Sequence, residues 1–393
     1  MNGVFRSKVK KISGHLCLWC LIVSMVNPSI LVAYSEFEAN SKIQRLLDKS
    51  VAKSKGVEFG LLLLHSDNLD IHWNLSSGEG VVDDSRFHIA SIGKIFSSTL
   101  IGQLVDEGTL TYTTHISSLL PDSLLDDLFV FKGQDYRDEI QIHHLLNHSS
   151  GVADWFDDKP KHGPGFLELA MESPGQEKTH DEALAFVQNN LQAVAAPDEK
   201  FHYSDTGYLL LGKIIEEITG LTLEENLHQR IFDPLGMDES QLLFYSEPVD
   251  SNATPMLPVW MGDVEITSHK WFKADWAGGG IVSSTEDLLL FMQALTKHEL
   301  VDETTLESWW DMEKFGYGMD YGYGILALRF NKFSPFYSDE LNVWGNWGST
   351  ATFMFYNPKY NLYLIGTFNQ SKYIRKVVPF LMKVMRIVDR MEK

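Results

Sequence analysis

Ser91 and Lys94 stand three residues apart in the stretch Phe87-His88-Ile89-Ala90-Ser91-Ile92-Gly93-Lys94-Ile95-Phe96. On a helix, positions i and i+3 share a face, so the Ser91 hydroxyl and the Lys94 amine can meet. A hydroxyl is a poor nucleophile until a neighbouring base takes its proton, and a partly desolvated lysine can be that base. The chemistry would be attack on a carbonyl through an acyl-enzyme. Spacing alone is unselective, since Ser7 and Lys10, and Ser50 and Lys53, repeat it without meaning. Two later stretches add to it. In Phe201-His202-Tyr203-Ser204-Asp205 a tyrosine beside a lysine can share its proton, as base for attack and acid for the leaving group. In Trp344-Gly345-Asn346-Trp347-Gly348-Ser349 glycine lets a strand edge approach substrate closely, so that a backbone N–H can complete an oxyanion hole with that of Ser91. Taken singly, Tyr203 is a loop tyrosine packed on a helix and the Gly-Asn stretch an ordinary hairpin.

The elements that must position these residues follow from pattern. An amphipathic helix is expected over 41–55, a buried strand over 58–65 and its hairpin partner over 71–75, with Asp67-Asn68 in the turn. The helix that opens near Ser91 runs to a stop at Gly108. Its N-terminus adds positive potential beside the serine. From 109 to 271 helical signals dominate: a short helix from 142 with a Gly151 stop, another over 182–191, a strong one over 208–218 closed by Gly220, and a turn at 233–236. Ser284 and Asp287 predict a capping box for a helix over 288–295. Strands return over 323–330, 341–344, 351–356 and 362–368, and a helix closes the chain over 377–391. The reading is α+β: a mainly antiparallel sheet flanked by helices, with residues 36–108 and 272–393 forming the α/β part and 109–271 a mostly helical insertion. A site is expected where the two parts meet.

Together the three motifs resemble the serine β-lactamase and penicillin-binding superfamily, whose signatures are S-x-x-K, S-D-N or Y-x-N, and K-T-G. The nearest likeness is to the class C β-lactamase-related serine hydrolases, which include D,D-carboxypeptidases, D-amino-acid amidases and peptidases, and esterases. It runs from about Phe87 to Gln370 and takes in Gln103-Leu104-Val105-Asp106-Glu107-Gly108, Leu145-Leu146-Asn147-His148-Ser149-Ser150-Gly151, Tyr208-Leu209-Leu210-Leu211-Gly212, Pro234-Leu235-Gly236-Met237 and Ala277-Gly278-Gly279-Gly280. The resemblance implies Ser91 as nucleophile, Lys94 as its proton acceptor and Tyr203 as general base and acid. It gives Asn346-Trp347-Gly348 the third-motif place, and the Ser349 N–H a share of the oxyanion hole. Asp205 stands where asparagine is usual and Asn346 where lysine or histidine is usual. A carboxylate near Lys94 favours the ammonium and leaves more of the base's work to Tyr203. Loss of the third-motif cation disfavours substrates that bring a carboxylate, so a neutral ester, an amide or an amino-terminal substrate fits better than a β-lactam or a D-Ala-D-Ala terminus. A binding-only, catalytically inactive member of the fold is the rival expectation.

Composition bounds the rest. The chain of 393 residues has 44% hydrophobic and 12% aromatic residues, enough for a large core, and no repeat or low-complexity run. Arg6, Lys8, Lys10 and Lys11 precede an apolar run over 16–26 that resumes over 30–33, and Ala33-Tyr34-Ser35 offers small residues for signal peptidase. Residues 1–35 are read as a signal peptide, with an uncleaved membrane anchor as the alternative; the protein is expected to be exported, periplasmic or secreted. Both cysteines, Cys17 and Cys20, lie in that segment, so a mature chain has no disulfide and no cysteine–zinc site. Net charge is −20, and removing residues 1–35 leaves 29 basic against 53 acidic residues, or −24. Such a protein should repel nucleic acid and anionic head groups, which leaves a small-molecule or peptide substrate as partner and the membrane only through the N-terminal segment. No cofactor or metal is expected: His143, His144 and His148 lack an HExxH pattern and an acidic ligand at matching spacing. Trp155, Trp260, Trp271, Trp276 and Trp344 read as core, with Trp347 the candidate pocket residue. Asp126, Asp127, Asp157 and Asp158 read as solvated loop charges.

Overall fold

A computed structural model describes residues 33–391. The basic and apolar stretch read above as a signal or anchor segment lies outside these residues up to position 32.

One eight-stranded sheet organises the molecule. From edge to edge its strands are Glu313–Gly316, Met319–Tyr321, Leu326–Leu328, Val343–Trp347, Thr352–Asn357, Leu362–Thr367, Phe59–Ser66 and Ile71–Gly78. Every neighbouring pair is antiparallel. Phe59–Ser66 joins the late strands through pairs such as Leu63 with Ile365, so the two ends of the chain build one sheet around the middle. Alternation along each strand then sorts side chains to two cores. Leu61, Leu63, Met354 and Ile365 face the core shared with the helical part, while Leu62, Leu64, Phe353 and Phe355 face the first and last helices. Burial on both faces explains why Phe59–Ser66 reads as an unbroken apolar run. The pair Glu313–Gly316 and Met319–Tyr321 has no alternating pattern to announce it, because Lys314, Gly316 and Asp320 interrupt the strands.

The first helix is Glu36–Ala52 and starts earlier than expected. Ser35 caps it: the hydroxyl accepts from Glu38 N at 3.3 Å and the Glu38 carboxylate accepts from Ser35 N at 3.1 Å. The last helix, Ile374–Val388, packs beside it. Two other local readings are corrected. Ile142–Leu146 is stopped not by Gly151 but by His148, which takes φ +63°. Ser284 does cap Thr285–Thr296, yet the Asp287 carboxylate does not return the bond; it accepts from Glu239 N and Ser240 Oγ at 3.0 and 2.8 Å. A small sheet of Phe87–His88, Ile281–Ser283 and Gln241–Leu242 was not foreseen, and it positions the site by pairing Phe87 with Ser283. Among the described residues no helix is long and apolar enough to cross a membrane.

Candidate active site

Ser91 sits in a single 3-10 turn, Ala90–Ile92, between the strand Phe87–His88 and the helix Gly93–Asp106. The turn requires φ +49° at Ala90, a left-handed backbone that costs an alanine of order 1–3 kcal/mol and persists only where packing imposes it. Two glycines impose it. A Cβ on Gly279 would lie 2.6 Å from the Ala90 carbonyl carbon, and one on Gly348 would lie 2.6 Å from the Ala90 Cβ and 2.8 Å from Ile89 O. The helix then carries Lys94 inward, fully buried, with Nζ 3.3 Å from Ser91 Oγ and donating to Gly278 O at 2.9 Å.

The helix Asp205–Thr219 closes the other side. Its first residue is buried, with its N–H donating to Asp154 Oδ1 at 2.9 Å and its carboxylate ion-paired with Lys94 Nζ. Burial alone would lower the Lys94 pKa, but Asp205, with help from Tyr203 and Asp275, outweighs it and holds the amine as an ammonium well above its ordinary range. Tyr203 precedes this helix. Its ring lies 4.2 Å from that of His148, whose Nδ1 accepts from Ser204 N at 3.1 Å and whose carbonyl accepts from His202 N at 2.9 Å. The Lys94 ammonium is 5.1 Å from the Tyr203 ring centre. Burial raises the Tyr203 pKa well above a normal phenol; the Lys94 charge pulls it down, Asp205 pushes it up, and hydrogen bonds with Ser91 and Lys94 again lower it. The resting site therefore holds an ammonium and a phenol.

The third motif divides by strand alternation. Asn346 is buried behind the serine, where Nδ2 donates to Ser91 O at 3.2 Å and Gly324 O at 2.9 Å, and Oδ1 accepts from Trp347 N at 2.8 Å. It is a clamp between strand and nucleophile turn. Trp347 falls on the opposite face, half-buried against the core of the first and last helices, so it does not line the pocket. Ser349 is exposed at the pocket mouth. Among the described residues neither the Ser349 N–H nor the Ser91 N–H has a protein acceptor, which leaves both free for an oxyanion.

The cavity over Ser91 is small, about 80 Å³, and has walls that sequence reading missed: His88, Asp157, Trp271, Phe272 and Asp275. His88 Nδ1 accepts from Ala90 N at 3.3 Å, so Nε2 carries the proton 3.6 Å from the Asp275 carboxylate, and burial pushes the ring's pKa down to about 3. The Asp275 carboxyl is pushed up to about 7, chiefly by burial, with Asp205 adding and Lys94 opposing. Asp157 is also held above the usual carboxylate range by burial and by Asp205 and Asp158. Asp157 is an exposed loop charge as expected, though it sits on the pocket rim, while Asp158 is half-buried and bonds His202 at 2.8 Å. Adjacency to the motifs was the only available signal: His88 lies three residues before Ser91, and Asp275 two before Ala277.

Away from the pocket, Asp198 comes within reach of His143 and His144, an acidic neighbour that spacing did not reveal. His144 Nε2 bonds Asp198 at 3.1 Å, His144 Nδ1 accepts from Gln141 N, and His143 Nδ1 meets Tyr112 O at 3.1 Å, so the three fix loops to one another.

The sequence profile described as beta-lactamase matches residues 46–378. The chain belongs to the beta-lactamase family of serine hydrolases. This beta-lactamase-family chain is 27% identical over 320 residues to "Penicillin-binding protein 4*" of Bacillus subtilis (strain 168), covering 76% of this chain and 65% of that protein. It is 32% identical over 167 residues to "Penicillin-binding protein 4" of Amycolatopsis lactamdurans, covering 42% and 39%. The matches thus span less than two thirds of either relative's length. Among solved structures, a D-stereospecific amidohydrolase from Streptomyces sp. superposes with TM-score 0.71 at 22% identity, covering 86% of this chain and 97% of that one. D-amino acid amidase from Ochrobactrum anthropi SV3, complexed with L-phenylalanine amide, gives 0.68 at 23%, covering 89% and 99%. At these identities the likeness is one of fold, and it agrees with the α+β sheet-and-insertion plan read from the sequence.

Proposed function

We propose that the protein is an exported hydrolase that cleaves an amide or ester bond through an acyl-enzyme on Ser91, and that its substrates carry a free amino group near the scissile carbonyl. The observation that carries the substrate class is the charge of the pocket. Three acidic residues, Asp157, Asp205 and Asp275, line it, and the buried Lys94 ammonium beneath them is already paired with Asp205. A substrate ammonium finds Asp157 and Asp275 unmatched, whereas a substrate carboxylate meets like charge with no third-motif cation to hold it. The small aromatic walls Trp271 and Phe272 suit one side chain of modest size. The amidohydrolase and amidase fold neighbours are compatible with this reading.

In the proposed cycle Ser91 Oγ bonds the carbonyl carbon and gives its proton to the Tyr203–Lys94 pair. The oxyanion is held by the N–H groups of Ser91 and Ser349. Collapse expels the leaving amine or alkoxide, which takes that proton, and water then releases the acyl group by the same steps. With both Lys94 and Tyr203 protonated at rest, one proton must leave the cluster before Ser91 can be activated.

The test pairs an aminoacyl p-nitroanilide with its N-acetylated counterpart, with nitrocefin alongside. The expected result is at least a tenfold higher kcat/KM for the free amine and slow nitrocefin turnover. Equal or faster turnover of the acetylated substrate overturns the substrate class, and efficient nitrocefin hydrolysis that disappears in Ser91→Ala overturns the argument from pocket charge. Export is tested by N-terminal sequencing of protein recovered from outside the cytoplasm.

A further inference from the structure

The strongest exception to the protein's acidity lies on the sheet face opposite Ser91. The first and last helices, Glu36–Ala52 and Ile374–Val388, run side by side there and leave a groove of about 370 Å³ between them. One wall is Lys42, Arg45 and Lys49; the other is Lys383, Arg386 and Arg390. Lys42, Arg45 and Lys49 have the spacing i, i+3, i+7, which sets them in one stripe of the first helix; Lys383 and Arg386 share a face of the last helix, and Arg390 follows just past its end. The floor between the stripes is apolar, made by Leu46 and Ile387, and the end is closed by Tyr34.

The partners of these cations within the protein are aromatic or phenolic: Lys42 lies over the Tyr34 ring, Arg390 donates to the Tyr34 hydroxyl and Arg386 bonds Tyr337. Among the described residues none of the six lies within ion-pair distance of a carboxylate. The acidic residues near them in sequence are engaged elsewhere: Glu36 with Trp73, Glu38 with Ser35, Asp48 with Gln44, and Asp389 with Lys359 and Tyr360. Arg45, Lys49, Lys383 and Arg386 are exposed, while Lys42 and Arg390 gather around the Tyr34 ring and hydroxyl. In a chain of net charge −20, six cations with no carboxylate partner among the described residues gather in one groove and form a local field of the opposite sign.

What covers the groove is indicated by the chain that leaves it. Tyr34 donates its N–H to Arg390 O, just past the last helix, at 2.7 Å, and the residues immediately before it in sequence are Ile30-Leu31-Val32-Ala33, the end of the apolar stretch that begins at residue 16. We propose that this groove is a membrane-docking surface: the six cations hold anionic phospholipid head groups while the preceding apolar segment enters the same bilayer. Basic residues beside a membrane-inserting segment each add about 1 kcal/mol of attraction to an anionic bilayer surface. Cleavage after Ser35 would remove both Tyr34 and the cap of the first helix, so docking goes with a retained segment. The inference is independent of the substrate proposed for Ser91.

The test uses the full chain, purified in detergent and mixed with vesicles of pure phosphatidylcholine or of phosphatidylcholine with 30% phosphatidylglycerol, read by flotation at low and at high salt. The expected result is preferential binding to the anionic vesicles that fades with salt. The variant Arg45→Glu, Lys49→Glu, Lys383→Glu loses that preference by about 10²-fold, with ester turnover and Tm unchanged. Equal binding to both compositions overturns the proposal, because it assigns attachment to the apolar segment alone. So does an anionic preference retained by the triple variant.

Discussion

Asp205 forms an ion pair with the fully buried Lys94, at the position where related motifs carry a neutral asparagine. The pairing fixes the protonation of the whole site. With Asp205 stabilising the ammonium and adding to the rise of the Tyr203 phenol, the cluster rests one proton too rich to accept another from Ser91. Activity should therefore rise with pH over a high-lying limb. Removing the carboxylate lowers the pKa of both Lys94 and Tyr203, so Asp205→Asn moves that limb toward lower pH and raises the relative rate at neutral pH. A kcat/KM profile of a neutral ester from pH 5 to 10 measures this; an unmoved limb contradicts the role given to Asp205.

Asp275 supplies a second pH effect with its own sign. Its carboxyl is pushed up to about 7, so it is protonated below that pH and charged above it. Attraction for a substrate ammonium grows as pH rises through 7 and falls again as an α-amino group deprotonates near 7.7–8.0. The ratio of kcat/KM for free-amine and N-acetylated substrates cancels the Lys94–Tyr203 limb and isolates this term. It is expected to climb by about sixfold between pH 6 and 7.5, and to lose that rise in Asp275→Asn, where only the slight fall from amine deprotonation remains.

Asn346 is a clamp, and that sets the outcome of restoring the usual third-motif residue. Lysine there would bury an ammonium and strip the bonds to Ser91 O, Gly324 O and Trp347 N. Asn346→Lys should lower stability by at least about 1–3 kcal/mol without conferring β-lactam turnover, as thermal melts and a nitrocefin assay would show. Gain of nitrocefin hydrolysis in a stable variant contradicts the clamp.

Gly348 is needed for close approach. A Cβ there meets Thr352 Oγ1, Ala90 Cβ at 2.6 Å and Ile89 O at 2.8 Å. Gly348→Ala should cost about 1–3 kcal/mol by overpacking, and should lower kcat more than it raises KM because the Ser91 turn is displaced. Wild-type kcat in a folded Gly348→Ala protein would refute this.

Sequence carried the fold where periodicity was clean. Phe59–Ser66 announced a buried strand through its run of four leucines and Leu362–Thr367 through its apolar Leu-Tyr-Leu-Ile, and Asp205–Thr219 announced a helix through its apolar spacing and Gly220 stop. Ser91, Lys94 and Tyr203 were legible because short motifs hold them. Asp157 and Asp275 were not, since tertiary packing alone brings their distant segments against Ser91, and His88, though three residues away, carries no motif that marks it. The face taken by Trp347 depends on strand register, which the motif does not state. The basic groove was hidden by the opposite fault: overall charge averaged away two helical stripes that lie more than 300 residues apart in sequence and side by side in space.

The central claim is that Ser91 is the acylated nucleophile. A fluorophosphonate probe followed by peptide mass mapping tests it directly. The account predicts one adduct, on the peptide containing Ser91, its loss in Ser91→Ala, and a fall in ester turnover of about 10⁴-fold or more in that variant. An adduct on another residue, or full turnover by folded Ser91→Ala, would contradict it.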